Sequence, residues 1–587
     1  MGAVLDKIDT PADLKKLSRT ELASLPGEIR EQMLVRLSAT GGHVGSNLAM
    51  IEATVALHTV FDSPIDKIVF DVSHQCYTHK LLTGRKAAYT NPAKYGTVSG
   101  FTDPKESEHD IFSIGHTSTA ISLACGLARA RDLREEAYNV IAVVGDGALS
   151  GGEALEGLNN AAAAGGNLII VVNDNDMSIA ENHGGIYQNL KLLRETDGAA
   201  ECNLFRAMGL DYRFVRDGHD LDQLLAAFEK VRDADHPIVV HICTVKGKGY
   251  RFAEKSRETW HYMGPFDRET GDPLHTANGC ETYEDLTRDF LKGKMAGDPT
   301  ITAITAGTPK ILGFDGALRQ RFPKQFIDVG IAEEHAIALA SGIAKNGGRP
   351  VFGVSSTFLQ RTYDQLSHDL ALNRSSAVIL VFFAGISQGS QTHMGVSDIA
   401  MMRSIPNLVC LAPTCKEEYL HMLDRALEQR NHPVVIRVPG VETVSRDAEL
   451  LPEYGCPVSY EIVEHGTDVA ILALGKFFAL GQRVWEELEK DHGIHATLIN
   501  PRCFSALDEK TLNALPGYGH RLVVTLEDGV LDGGFGEMIA GFYGNSDMKV
   551  LRFGAKKEFT NLVPTEELYV RYHLNKEQIK SGILDAL

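Results

Sequence analysis

The sequence predicts an α/β protein of three domains, each a mostly parallel sheet flanked by helices. Three observations carry this. Strand-length apolar runs recur at residues 140–144, 168–172, 238–245, 378–383, 469–474 and 522–526, and they end in polar or glycine-rich tips. Helix-like segments lie between many of these runs, and such strand–helix–strand alternation implies parallel pairing. The length, 587 residues, corresponds to about three or four domains at roughly 100–200 residues each.

Composition narrows the function classes. A net charge of −19 argues against a nucleic-acid-binding surface, whose footprint is usually basic. The nine cysteines are scattered without a C-x-x-C pair, as expected of reduced thiols in a cytoplasmic protein. The N-terminus lacks a signal-peptide apolar core. The longest apolar runs, such as residues 377–385, are strand length and far too short for a membrane span. The expectation is a cytoplasmic enzyme with neither nucleic-acid nor membrane partners.

Taken in order, residues 1–40 read as helical, with Thr10-Pro11 as a start signal and Leu17-Ser18-Arg19-Thr20-Glu21 leading into a second helix. Gly41-Gly42-His43-Val44-Gly45-Ser46 then breaks the helix and presents His43. Residues 69–75 read as a strand ending at His74. His74, Cys76 and His79 lack a nearby fourth ligand, which argues against a zinc centre. Residues 113–118 form another strand-end loop with a histidine, His116. Residues 214–217 lead to a Gly-His-Asp turn, and the run at 238–245 ends in Lys246-Gly247-Lys248-Gly249-Tyr250, with His261 beyond it. The first domain is expected over residues 1–265, with a linker carrying one helix at 266–299. A second α/β domain at 300–445 contains strands at 326–330, 350–354, 378–383 and 433–438. A third spans 446–587.

The chemistry-bearing residues sit at strand ends, where open α/β sheets bind ligands. The stretch GDGALSGGEALEGLNNAAAAGGNLIIVVNDNDMSI, residues 145–179, reads as strand, glycine turn, helix, strand and polar end. Asp146 offers an anionic oxygen, Asn175 an amide oxygen, and the backbone near Met177 a carbonyl. Few oxygen ligands with room for phosphates suit Mg²⁺, and a helix start after Gly147 favours a phosphate. In the second domain Glu333 opens a small-residue helix after a strand. A shielded carboxylate there suits proton sharing, although a helix-dipole role for it is the simpler alternative. Phe358 offers a stacking face, and the histidines move protons near neutral pH.

GDG followed at this spacing by NDN resembles the thiamine diphosphate fingerprint. With GGHVGSNL, FDVSHQCYTHKLLTGR, SIGHTSTAIS, RDGHD, KGKGY, DVGIAEEHA, STFLQRTYDQ, QTHMG and IRVPG in order, the chain resembles the 1-deoxy-D-xylulose-5-phosphate synthase family, whose fold is transketolase-like. The resemblance implies decarboxylation of pyruvate and transfer of the remaining two carbons to an aldehyde acceptor, glyceraldehyde 3-phosphate, by a homodimer. It implies that Asp146, Asn175 and the Met177 carbonyl hold Mg²⁺. His74, Gly115, His116, Thr117, Gly147, Ala148, Asn175 and Tyr250 would surround thiamine diphosphate. Glu333 would activate its pyrimidine ring, with Phe358 stacked on the ring and Arg361 close by, and His43, His261 and His393 would act around the pyruvate adduct.

The departures from the family pattern cluster at the implied acceptor site. This chain has Ser355 where the family has tyrosine, Phe382-Phe383 where it has Asp-Arg, Gly389 in a loop shorter by one residue, and Gly440 where it has arginine. Loss of two arginines removes strong, geometry-specific phosphate contacts. A pyruvate-side arginine is also missing, with Pro104-Lys105 in its place. Three readings follow: a synthase whose phosphate is held by Arg361, Arg437 or Lys105; a carboligase with a different, less polar acceptor; or a weakly active thiamine-binding regulatory protein. A transketolase using a ketose donor is a further alternative.

Overall fold

A computed structural model of the chain describes residues 4–275, 279–455 and 457–587. Two compact units divide it: Met1–Asn278 with Gly330–Ala332, and Gly279–Val329 with Glu333–Leu587. The first unit is built on one sheet and the second on two.

The first sheet has the order β1-β2-β3-β5-β4. Its strands are β1 (Lys67–Phe70), β2 (Val140–Gly145), β3 (Leu168–Asp174), β4 (Asp211–Val215) and β5 (Pro237–Cys243). All its pairings are parallel. Val140–Val144 and Leu168–Val172 are buried at both faces, hence the unbroken apolar runs in the sequence. Gly145 pairs with Asn173 across β2 and β3, so the two polar tips emerge side by side. A 3₁₀ turn, Asp146–Ser150, follows β2, and the α-helix begins only at Gly152. The helix start expected directly after Gly147 is thus displaced by a tight turn that keeps Asp146 against the sheet.

The second sheet, order β10-β11-β9-β8-β6-β7, is also parallel throughout. It comprises β6 (Ile301–Thr305), β7 (Phe326–Asp328), β8 (Arg349–Ser355), β9 (Val378–Phe382), β10 (Val409–Leu411) and β11 (Val434–Arg437). The helix expected before it is Tyr283–Gly297, started by a capping box between Thr282 and Asp285. It buries Leu291 and Met295 in the same cluster as Ile301 and Leu312. The third sheet, order β12-β14-β13-β15-β16, uses β12 (Glu461–Glu464), β13 (Val469–Ala473), β14 (Ala496–Asn500), β15 (Leu522–Val530) and β16 (Lys549–Ala555). Only β12 runs antiparallel, at an edge. The architecture is the multi-domain, mostly parallel α/β fold that the apolar runs imply.

Candidate active site

The first unit gathers its polar side chains at the carboxyl ends of β1, β2 and β3. Asp146 is buried, and its Oδ2 accepts hydrogen bonds from the Met177 N–H (3.0 Å) and the Asn182 amide (2.8 Å). Burial, with the nearby Asp174 charge, pushes its carboxyl up to about 7. Asn175 Oδ1 is buried without a hydrogen-bond partner. A buried carboxylate that resists ionisation and an orphaned amide oxygen are each what a hard cation would relieve. Gly147 is required by space: a Cβ there would lie 2.6 Å from Ser178 Oγ. Asp174, the middle residue of NDN, is committed elsewhere, to Arg194 through both oxygens at 2.7 Å and to His241 at 2.9 Å.

The loop carrying Gly115, His116 and Thr117 is fixed to this turn by Ser118, whose Oγ donates to the Ala148 carbonyl at 2.8 Å. Asp71, at the end of β1, accepts from the Ser118 and Ala120 N–H groups at 2.8 and 3.0 Å. Its charge lies at the start of helix Ala120–Leu133, where the helix dipole stabilises it. Gly115 is buried, while His116 and Thr117 remain half-buried.

Three of the expected histidines converge. The ring centroids of His43 and His74 are 5.0 Å apart, those of His43 and His261 5.6 Å, and those of His74 and His261 5.3 Å. The buried Asn47 amide donates to the carbonyls of both His43 and His74 at 2.7 Å, and its oxygen accepts from the Tyr77 N–H at 2.9 Å. Gly42 and Met263 exchange backbone hydrogen bonds of 2.8 and 3.0 Å, which brings His261 to His43. Gly41 has φ +70°, and a Cβ there would meet the Met263 carbonyl at 2.6 Å. Hence the paired glycines before His43. His79 stands apart, with its ring nitrogens on His58 and Asp110 at 2.9 and 2.8 Å. Tyr250, expected beside the cofactor, has its described contacts elsewhere: its ring packs on Trp260, and its hydroxyl donates to the Arg268 carbonyl at 3.1 Å.

The second unit holds the other group. Glu333 is the first residue of helix Glu333–Lys345 and is 3% exposed. Burial pushes its carboxyl up to about 7, against the opposing Arg361 charge at 4.0 Å. Phe358 follows β8, and its ring centroid lies 5.6 Å from that of His393, nearly perpendicular. Burial lowers His393 to about 4, so it is a neutral imidazole at ordinary pH.

The divergent positions fall near the strand ends of the same unit. Ser355 pairs with Phe382 across β8 and β9. Phe382 is 2% exposed and belongs to the core, so the expectation that both phenylalanines line a pocket is corrected to Phe383 alone, 55% exposed with φ +53°. The suggestion that Arg437 holds a phosphate is also corrected. Its guanidinium is buried between Asp398, at 2.6 Å, and Asp528. Lys476 is likewise spent on Asp528 at 2.9 Å.

Residues 5–202 and 195–244 match the family described as 1-deoxy-D-xylulose-5-phosphate synthase. Residues 283–442 match the transketolase pyrimidine binding domain, and 459–579 the transketolase C-terminal domain. A 1-deoxy-D-xylulose-5-phosphate synthase of Clostridium acetobutylicum is 38% identical over 623 residues, covering 100% of both chains. That of Symbiobacterium thermophilum is 40% identical over 610 residues, covering 97% of this chain and 93% of the other. The chain belongs to the 1-deoxy-D-xylulose-5-phosphate synthase family.

For this member of the synthase family, the structure adds residues that motif reading passed over. Asn47 and Asp71 sit inside quoted motifs, yet nothing in their spacing marks them as the clamps for His43, His74 and the His116 loop. Asn182 reaches Asp146 from a segment that is short relative to the family pattern. That segment still forms helix Gly185–Glu195, and its Tyr187 hydroxyl lies 3.3 Å from the Asp146 and Gly147 carbonyls. Lys246 donates to the Ser178 carbonyl and is lowered to about 8 by burial.

Proposed function

We propose that this chain decarboxylates pyruvate and transfers the remaining two-carbon unit to an aldehyde, using thiamine diphosphate and Mg²⁺. The observation that carries the reading is the pair of Asp146, buried with its carboxyl pushed up to about 7, and Asn175, whose Oδ1 has no hydrogen-bond partner. Both fit an oxygen-ligated divalent cation, with the Met177 carbonyl as the third protein ligand. Full-length likeness to curated synthases, at 38% identity over 100% of both chains, supports the reaction class.

Thiamine diphosphate would supply, when bound, a thiazolium carbon that loses its proton and then adds to the carbonyl carbon of the substrate. The protein's part is positioning and proton handling. Gly115, His116, Thr117, Gly147, Ala148 and His74 are assigned to the cofactor's surroundings. Glu333, shielded from water with its carboxyl pushed up to about 7, would share a proton with the pyrimidine ring, and Arg361 opposes that rise. Phe358 offers the stacking face. His43 and His261 sit in one cluster, as groups that take or give protons at the substrate oxygens, and His393 in the second unit is a neutral imidazole that can accept a proton or a hydrogen bond. The reading includes a homodimer in the cytoplasm. Cys76, Cys125, Cys243 and Cys503 are free thiols, as a reducing compartment would keep them.

A second reading concerns only the acceptor. Arg437 and Lys476 are both neutralised by buried carboxylates, and Phe383 is exposed at a strand end. These observations favour an acceptor without a phosphate. Carbon dioxide release from pyruvate, with thiamine diphosphate and Mg²⁺ and a panel of aldehydes, tests both readings. Stimulation by micromolar glyceraldehyde 3-phosphate removes the second reading. Absence of release with every acceptor, together with turnover of a ketose phosphate donor, replaces the first with a transketolase.

A further inference from the structure

We infer that Tyr262 is a specificity-determining residue whose ring packs against the apolar chain of the acceptor aldehyde. The inference rests on the carboligase reading above and assigns one wall of its substrate site.

Tyr262 combines two properties. It is a large aromatic residue, 62% exposed, so core packing does not account for it. It is nonetheless held in place. The neighbouring Met263 exchanges both backbone hydrogen bonds with Gly42, and Tyr262 itself is extended, at φ −136° and ψ 130°. The preceding Trp260 is buried, with its ring 4.8 Å from that of Phe266. The chain on either side of Tyr262 is therefore anchored, and the side chain projects from a rigid support. An exposed aromatic side chain on such a support presents apolar area at low entropic cost.

Its direction is set by His43. The Tyr262 ring centroid lies 5.1 Å from that of His43, edge to face at 74°. Phe101 flanks the same imidazole at 5.7 Å. His74 and His261 are half-buried around His43, while Tyr262 is the exposed member of the group. Tyr262 is 62% exposed beside His43, so an aldehyde entering this cluster from solvent meets the tyrosine ring first. Its carbons beyond the aldehyde meet the tyrosine ring, and each methylene covered there gains the free energy of leaving water.

The test is carboligation of pyruvate with a series of unbranched aldehydes, propanal to hexanal, by the wild-type protein and the Tyr262→Ala and Tyr262→Phe variants, alongside thiamine diphosphate binding. In the wild type, kcat/KM is expected to rise up to about fourfold per methylene, the factor corresponding to ~0.8 kcal/mol. Tyr262→Ala flattens this dependence, Tyr262→Phe keeps it, and cofactor affinity stays within about twofold in both. A wild-type series that does not rise with chain length, or an unchanged slope in Tyr262→Ala, overturns the inference while leaving the carboligase reading intact. A wild type inert with pyruvate and every aldehyde overturns that reading, and this inference with it.

Discussion

Glu333 Oε2 lies 4.0 Å from the Arg361 guanidinium, buried and without a hydrogen-bond partner. At that separation the cation lowers the carboxyl's pKa only in part, and burial wins: the group titrates at about 7 rather than near 4.5. A carboxyl poised there gives or takes a proton at neutral pH, as general acid–base work demands. Glu333→Gln removes the titrating proton while keeping the shape. Turnover should fall by about 10²–10⁴-fold, with thiamine diphosphate still bound, as followed by carbon dioxide release and calorimetry. Unchanged turnover would remove Glu333 from its role.

Asp146 gives a pH-dependent prediction. Its folded-state carboxyl is raised from 3.8 to about 7, chiefly by burial. Between these values the native state binds a proton that the unfolded state has released. Its contribution to stability is full below pH 3.8 and is lost as pH rises through about 7. A cation on the carboxylate reverses the loss, because it favours the ionised form. The rise in Tm on adding Mg²⁺ with thiamine diphosphate should be larger at pH 8 than at pH 5.5. Asp146→Asn should abolish that difference, as measured by thermal unfolding. An equal Mg²⁺ effect at both pH values would remove Asp146 from the metal site.

Asn47 should matter more than its place in a helix suggests. Its side chain makes three hydrogen bonds to backbone groups of two segments, those of His43 and of His74 and Tyr77. Asn47→Ala removes all three hydrogen bonds, at about 0.5–1.5 kcal/mol each. Both histidines then lose their fixed separation. The expected result is a lower urea midpoint and a kcat loss beyond tenfold. Retained kcat in a folded variant would show that the histidines hold position without it.

The fold was largely legible because buried parallel strands leave continuous apolar runs, and the strand-end rule then pointed to Asp146, Asn175 and Glu333. The histidines could be nominated from glycine-rich loops, but their convergence depends on the Gly42–Met263 backbone pairing, which links residues 221 positions apart in sequence. No local pattern records such a contact. The fates of Phe382 and Arg437 were illegible for the same reason. A phenylalanine beside a strand end reads alike whether it points into the core or out, and an arginine reads as available until Asp398 and Asp528 are seen to enclose it.

Arg437 carries the last prediction. It bridges Asp398, at the start of helix Asp398–Met402 in the second-sheet region, and Asp528 in β15 of the third sheet. All three side chains are buried. Burial and the Asp528 charge raise the Asp398 carboxyl against the opposing effect of Arg437, whereas Arg437 and Lys476 together hold Asp528 below its ordinary value. Arg437→Met removes the shared cation and leaves two carboxylates facing a low-dielectric interior. The cost should be about 3–5 kcal/mol, read from urea unfolding, and Asp398→Asn in the same chain should recover part of it. Because the guanidinium is occupied, the ratio of kcat/KM for phosphorylated over unphosphorylated aldehydes should not change in any variant that remains folded. A tenfold fall in that ratio would mean that Arg437 reaches the acceptor after all.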